Sequence, residues 1–362
     1  MKALHEIAGQ ILTVGIEGQL VSPECSELLT SLRPGGVIFF HHNIATADQF
    51  SNLVSQGREL PHSSPPFLAI DLEGGTVDRF RELIAPLPSV AATVAAGAAR
   101  ELGRVAGREL AAFDLNVDYA PVLDLGLPAS REVLTSRTAG ASPAAVIAFA
   151  REFLSGLAEE GIIGCGKHFP GLGGGNLDSH MKMPAIARTH AKMWSDDLAP
   201  YRELAEQLPM VMVAHAWYPE LERELGYAGE PRPASLSPVI VGDLLRKRIG
   251  YTGLILCDDL EMGGVLGERT IEQAALGAVE AGCDTLLVCR HPDNVQRVHA
   301  ALVKQCESSG DFRAKVEAAA GRNVALKQRH DIRRRPTTTR PTVQQLREQI
   351  ARLTEFIQAK FA

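Results

Sequence analysis

Eight apolar runs rich in β-branched residues recur along this chain, at 11–16, 36–40, 67–71, 117–124, 162–168, 210–215, 253–258 and 285–289. Helical patterns fill most of the gaps, at 45–60, 92–113, 143–160, 198–207, 237–248 and 271–281, and two more follow the last run at 292–308 and 312–328. Near-continuous hydrophobicity suits parallel strands covered on both faces. Eight such strands alternating with helices over about 300 residues predict an α/β fold, a (β/α)8 barrel of the TIM type. A doubly wound sheet is the alternative, but no G-x-G-x-x-G follows the first run. Ser142 before Pro143 and Ser237 before Pro238 read as N-caps with a first-turn proline. Gly161 and Gly282 stand where helices should stop.

Past residue 330 the character changes. Prolines and threonines mark 331–342 as a linker between the barrel (1–330) and a closing amphipathic helix (343–362). Thr342 with Gln345 forms a capping box, and Val343, Leu346, Ile350, Leu353 and Ile357 follow a three-four spacing. Docking on the barrel's outer helices and self-association into a weak homodimer both fit that stripe; otherwise a monomer is expected.

Composition removes several classes of function. With 22% charged residues the chain has the composition of an ordinary globular protein, and a net charge of −6 argues against a nucleic-acid binder, whose electrostatics would favour a basic face. No run approaches membrane-spanning length, and the first residues lack the apolar stretch of a signal peptide, so a cytoplasmic location is expected. The six cysteines form no C-x-x-C pair and no Cys/His cluster of zinc-site spacing; Cys165, Cys257, Cys283 and Cys289 read as buried free thiols.

In a barrel, reacting groups gather at the C-terminal ends of the strands. Five runs here end on polar or ionisable residues: Asp71, Asp124, Lys167 with His168, His215, and Asp258. Packing alone does not account for five such ends on one face. Asp258 is followed by Asp259 and Glu261, a pattern open to a metal site, a solvated loop or a nucleophile. Metal binding is the weaker reading, since no second acidic cluster of that density exists. A carboxylate at a strand end can attack an anomeric carbon. Asp259 reads as a support for the loop.

A glycine-rich loop, residues 171–175, follows Lys167 and His168 and leads to Asp178 and His180. An Asp beside a His orients an imidazole for proton transfer; a capping Asp with an exposed His is the plainer alternative. After the third run, Asp71 can accept from two sugar hydroxyls and Arg79 supplies fixed donors. Glu73, ahead of two glycines, reads as a residue that ties down the turn. Arg137 lies on the long loop after the fourth run, where it is indistinguishable from a surface arginine. His215 can line a pocket or satisfy backbone carbonyls.

Taken in order, these segments resemble family 3 glycoside hydrolases, in particular the single-domain β-N-acetylglucosaminidase (β-N-acetylhexosaminidase) branch, from about residue 8 to residue 327. The likeness rests on Gly35-Gly36-Val37-Ile38-Phe39-Phe40 with Asn43-Ile44, Ile70-Asp71-Leu72-Glu73-Gly74-Gly75 with Arg79, and Tyr119-Ala120-Pro121-Val122-Leu123-Asp124. It continues through Lys167-His168-Phe169-Pro170-Gly171, Asp178-Ser179-His180, Met212-Val213-Ala214-His215, Pro233-Ala234-Ser235-Leu236-Ser237 and Cys257-Asp258-Asp259-Leu260-Glu261-Met262. Each motif is weak alone, and the full ordered set is specific.

The resemblance implies a retaining exo-hydrolase acting on a terminal β-linked N-acetylglucosamine, with muropeptide or chito-oligosaccharide substrates and a part in peptidoglycan recycling. It implies Asp258 as nucleophile, His180 as acid/base and Asp178 as its orienting partner. Asp71, Arg79, Arg137, Lys167, His168 and His215 become sugar-binding positions. No cofactor and no metal are implied. Family β-glucosidases usually draw their acid/base from an added C-terminal domain, and only about 30 residues follow the barrel here, so β-glucosidase activity is the lesser enzyme reading. An inactive sugar-binding barrel is the non-enzyme alternative. The chain departs from the family pattern at Leu172 (usually His), Thr76 (usually Arg) and Cys257 (usually Ser or Thr); the first two bear on loop docking and the groups beyond the terminal sugar, and none touches Asp258, Asp178 or His180.

Overall fold

The computed structural model describes residues 2–59, 64–175, 183–332 and 340–361. Its eight barrel strands are β1 Leu12–Gly15, β2 Gly36–Ile38, β3 Phe67–Ile70, β4 Val117–Asp118, β5 Ile163–Phe169, β6 Met210–Val213, β7 Leu254–Asp259 and β8 Thr285–Val288. Every neighbouring pair is parallel, and β8 closes on β1 through the pairs Leu12–Leu286 and Val14–Val288. Each strand falls within one of the eight apolar runs or extends it by one residue. The (β/α)8 barrel read from the sequence is the fold observed.

Strand alternation decides which side chains enter the barrel. Phe67 and Ala69, Val117 and Tyr119, Ile163 and Cys165, Met210 and Met212, and Leu254 and Leu256 form one buried cluster inside it. Their neighbours Leu68, Ile70, Val211, Val213, Ile255 and Cys257 belong to the larger cluster between strands and helices. Leu326 and Ile332 join the inner cluster from the chain beyond β8. Burial on both faces is what makes the runs read as continuously apolar.

Helix boundaries follow their local chemistry. Ser142 caps Pro143–Glu159, and Thr270 caps Ile271–Ala281 through a capping box that ends at Gly282 with φ of 110°. The segment expected as one helix over 92–113 is two, Val90–Ala96 and Ala99–Ala112, because Gly97 adopts a left-handed φ of 70° between them. Ser237 does not cap: the helix there runs Val239–Arg248, and the Ser237 hydroxyl instead donates to the buried Glu222 carboxylate. Pro23–Leu32, between β1 and β2, has no counterpart in the sequence reading.

Thr342 and Gln345 form the expected capping box, opening a helix over Val343–Gln358. Its apolar stripe, Leu346, Ile350, Leu353 and Ile357, is buried against Ala99–Ala112 and Val90–Ala96. Arg347 fastens the same helix to the carbonyls of Leu83 and Ile84 at 2.9 and 2.8 Å. No helix among the described residues is long and apolar enough to cross a membrane.

Candidate active site

On β3, β5 and β7 the inward-facing series runs on past the apolar layers into ionisable residues. After Leu254 and Leu256 the next inward position on β7 is Asp258; after Ile163 and Cys165 on β5 it is Lys167; after Phe67 and Ala69 it is Asp71. All three line one cavity of about 630 Å3 at the C-terminal ends of the strands. Glu73, Arg79, Arg137 and His168 line it too. Apolar layers below and charged groups above are what make the upper end of such a barrel reactive.

Lys167 is the centre of the charged floor. Its ammonium lies 2.6 Å from Asp71 Oδ1 and 2.6 Å from Glu73 Oε1. Arg137 meets the same Glu73 in a bidentate pair, Nε to Oε2 at 2.7 Å and Nη2 to Oε1 at 2.8 Å. The Glu73 side chain is 1% exposed, so its charge survives only because two cations face it. Burial pushes the Glu73 carboxyl up, but Lys167 and Arg137 outweigh it and hold the group far below the usual carboxylate range. Burial likewise raises Asp71, and Lys167 with Arg79 reverse that to a net lowering. For Lys167, burial lowers the ammonium while Asp71 and Glu73 raise it further, so it stays charged.

This overturns the reading of Glu73 as a residue that merely ties down a turn. It sits on the first strand of a short hairpin, Leu72–Gly74 with Val77–Asp78, and joins two cations contributed by β5 and by the 3-10 turn Thr135–Arg137. Arg79 extends from the hairpin's other end, its Nη2 3.5 Å from Asp71 Oδ2 and its guanidinium over the Phe40 ring at 5.9 Å.

Asp124, where the fourth apolar run ends, serves as an orienting acid. Its Oδ2 lies 2.7 Å from His168 Nδ1, and its Oδ1 accepts the Leu172 N–H at 2.7 Å. An ionised carboxylate only accepts, so the Nδ1 proton donates to it and Nε2 stays available to the cavity. Leu172, one of the departures from the family pattern, lines the cavity wall. The peptide bonds Lys167–His168, Ala120–Pro121 and Phe169–Pro170 are cis.

At the end of β7, Asp258 accepts the Asp259 N–H through Oδ1 at 2.8 Å. Burial pushes the Asp259 carboxyl up to about 6. Its Oδ1 accepts the Glu261 N–H at 3.1 Å, and Arg290 stands 4.0 Å away. Glu261 binds across to the following loop, accepting from the backbone N–H groups of Arg290 and His291 and from Asn294 Nδ2 at 2.7 Å. That carboxylate supplies the N-terminal partner that helix Pro292–Ser308 lacks from its own cap residue.

His215 is not among the residues lining the cavity. It shares the parity of Val211 and Val213, the outward series of β6, and is fully buried. Its Nε2 lies 3.1 Å from the Asp259 carbonyl and its Nδ1 2.7 Å from Ser235 Oγ. A carbonyl only accepts, so Nε2 carries the proton and Nδ1 accepts from Ser235. The expected pocket residue is therefore behind the wall, where it holds the backbone beside Asp258. Asp178 and His180 lie outside the described residues. All six cysteines are free, and among the described residues no His, Cys, Asp and Glu side chains are grouped so as to hold a metal ion.

The model of the glycosyl hydrolase family 3 N terminal domain matches residues 3–325. A protein named β-hexosaminidase from Alkalilimnicola ehrlichii is 36% identical over 297 residues, covering 79% of this chain and 82% of its own length. Another from Bordetella avium is 37% identical over 296 residues, covering 79% and 81%. Among solved structures, a family 3 β-N-acetylglucosaminidase from Paenibacillus sp. str. FPU-7 superposes with a TM-score of 0.89 at 30% identity, over 98% of this chain and 68% of that one. NagZ from Neisseria gonorrhoeae, in complex with N-trifluoroacetyl-D-glucosamine, gives 0.73 at 30% identity, over 87% and 98%. With the barrel, the strand-end carboxylates and this coverage together, the chain belongs to glycoside hydrolase family 3 and is a glycoside hydrolase.

Proposed function

We propose that this protein is a retaining exo-β-N-acetylglucosaminidase that removes a terminal β-linked N-acetylglucosamine from chito-oligosaccharide or muropeptide-type substrates. The observation that carries the reading is Asp258 opening into a cavity whose floor is the Lys167–Asp71–Glu73–Arg137 network. Fixed donors and acceptors of both signs suit the hydroxyl groups of one sugar ring. The names of the relatives point to the same substrate class.

In this reading an Asp258 carboxylate oxygen attacks C1 as the C1–O glycosidic bond breaks, and the leaving oxygen takes a proton from His180. Water then attacks C1, giving its proton to the same imidazole, and the C1–Asp258 bond breaks to free the sugar with its configuration retained. Asp178 orients His180; this pair rests on the D-S-H motif of the sequence. Asp71, Lys167, His168, Arg79 and Arg137 bind the sugar. Glu73 positions Lys167 and Arg137, and His215 positions the Asp259 backbone. A cytoplasmic role in peptidoglycan recycling completes the proposal.

The test is hydrolysis of a chromogenic β-N-acetylglucosaminide and the matching β-glucoside by wild type, Asp258→Asn and His180→Ala. The account expects turnover of the N-acetylated substrate, abolished at 258 and strongly reduced at 180. Preference for the glucoside moves the protein to the other branch of the family. Sugar binding without turnover makes it a binding barrel.

A further inference from the structure

The apolar stripe of the C-terminal helix, Leu346, Ile350, Leu353 and Ile357, is used up against the barrel's outer helices. A partner of this helix has to meet its other side, and that side is not an ordinary solvated face. Glu348, Arg352, Glu355, Phe356 and Ala359 recur there at three-four spacing, all exposed. Phe356 is 48% exposed, and Phe361, just past the helix, is 63% exposed; among the described residues Leu20 is the only other large apolar side chain left so open. Beside Phe356 a groove of about 780 Å3, larger than the substrate cavity, runs between this helix and the start of Ala99–Ala112. Gly97, Ala98 and Leu353 give it apolar walls, and no atom lies within 4 Å of the place a Cβ would take on Gly97.

Charge decides what fits there. The arginines of the groove are neutralised within the chain. Arg100 bonds Glu159 at 2.7 Å, Arg104 grips Glu101 at 2.7 and 3.0 Å, and Arg108 lies 3.9 Å from Glu160. Arg352 and Glu355 have no charged partner among the described residues. They are opposite in sign and three positions apart, so a second copy running antiparallel matches them. With a twofold axis near residue 354, Arg352 of each copy faces Glu355 and Phe356 of the other, and Glu348 faces Lys360. A patch that complements itself in this way is what a twofold interface requires. We propose that this face is the interface of a homodimer, in which the final helix of each copy lies antiparallel along the groove of the other. A helix of 16 residues is about 24 Å long and about 10 Å wide, which covers less than the roughly 800 Å2 per partner of a standard interface. The dimer is therefore weak, with a Kd on the order of 10 μM.

Sedimentation of the full chain from about 1 to about 200 μM, spanning that Kd, reads the equilibrium directly. Wild type should pass from one chain to two across the range. Phe356→Ser removes the aromatic anchor and should raise the Kd about tenfold. Arg352→Glu and Glu355→Arg each set like charges face to face and should do the same. An equal mixture of those two charge variants should dimerise like wild type, because each supplies the sign the other lacks; that recovery also shows that both are folded. A wild type that stays monomeric at the highest concentration overturns the proposal and leaves the groove to a partner other than this chain. A dimer indifferent to all three substitutions, or a mixture no tighter than either charge variant alone, overturns it as well.

Discussion

Lys327 is a cation in the wrong solvent. It is 2% exposed, near the end of helix Gly310–Arg329, and its Nζ has no hydrogen-bond partner among the described residues. The compensating contact among the described residues is the face of Phe67, the first residue of β3, 4.8 Å from the ammonium. Burial pulls the amine down from its ordinary value of 10.5 to about 7. At 1.36 kcal/mol per unit, that displacement is a cost of about 4 kcal/mol at neutral pH, from which the cation–π contact recovers about 1. Lys327→Met keeps the volume, removes the charge and retains an aromatic contact. The variant should be more stable than wild type by about 3 kcal/mol near pH 7.

The pH dependence is the sharper test. The folded-state value is below the unfolded one, so between about 7 and 10.5 the unfolded chain binds the extra proton. Wild-type stability should therefore rise with pH across that window, by about 2.5 kcal/mol between about pH 6 and pH 9 from this residue alone. The advantage of Lys327→Met should be full below about pH 7 and shrink above it. Urea unfolding followed by circular dichroism at both ends of the window measures this difference directly. A variant no more stable than wild type, or a difference that does not move with pH, refutes the argument from burial.

Two further outcomes concern the upper end of the barrel. Glu73→Gln breaks a buried pairing with two cations and should lower the unfolding free energy by about 3 kcal/mol. Because the Glu73 carboxyl is depressed, that contribution is present above the unfolded value and should fade as pH drops below about 4.5; an unchanged urea midpoint at neutral pH contradicts it. Asp259, raised by burial to about 6, places a second negative charge next to Asp258 as pH rises through that value. A cationic transition state gains from it, so kcat/KM should rise through about pH 6 in wild type, and Asp259→Asn should flatten that limb. A pH profile identical in the two proteins removes Asp259 from the chemistry.

Local patterns carried the barrel because each strand is buried on both faces and announces itself as an apolar run. They also carried the strand-end residues. Asp71, Lys167 and Asp258 all continue the inward parity of Phe67 and Ala69, of Ile163 and Cys165, and of Leu254 and Leu256. The same two-residue period puts His215 on the outward series with Val211 and Val213, so its place behind the wall was legible as well. Glu73 was not: its partners are 64 and 94 positions away, and nothing beside it signals that two cations converge there. Arg137 was an ordinary surface arginine until the 3-10 turn that carries it folded over the hairpin. Arg347 belongs to the same class, since its carbonyl partners depend on which barrel loop the C-terminal helix meets.

The central claim is a covalent sugar on Asp258, and it can be weighed. Wild type would be incubated with an activated 5-fluoro-N-acetylglucosaminide, whose fluorine slows both steps while its good leaving group restores the first, and its intact mass and peptides measured. The account predicts an increment of one sugar, mapped to the peptide that carries Asp258 and absent from Asp258→Asn. No adduct during turnover, or an adduct on any other residue, would contradict it.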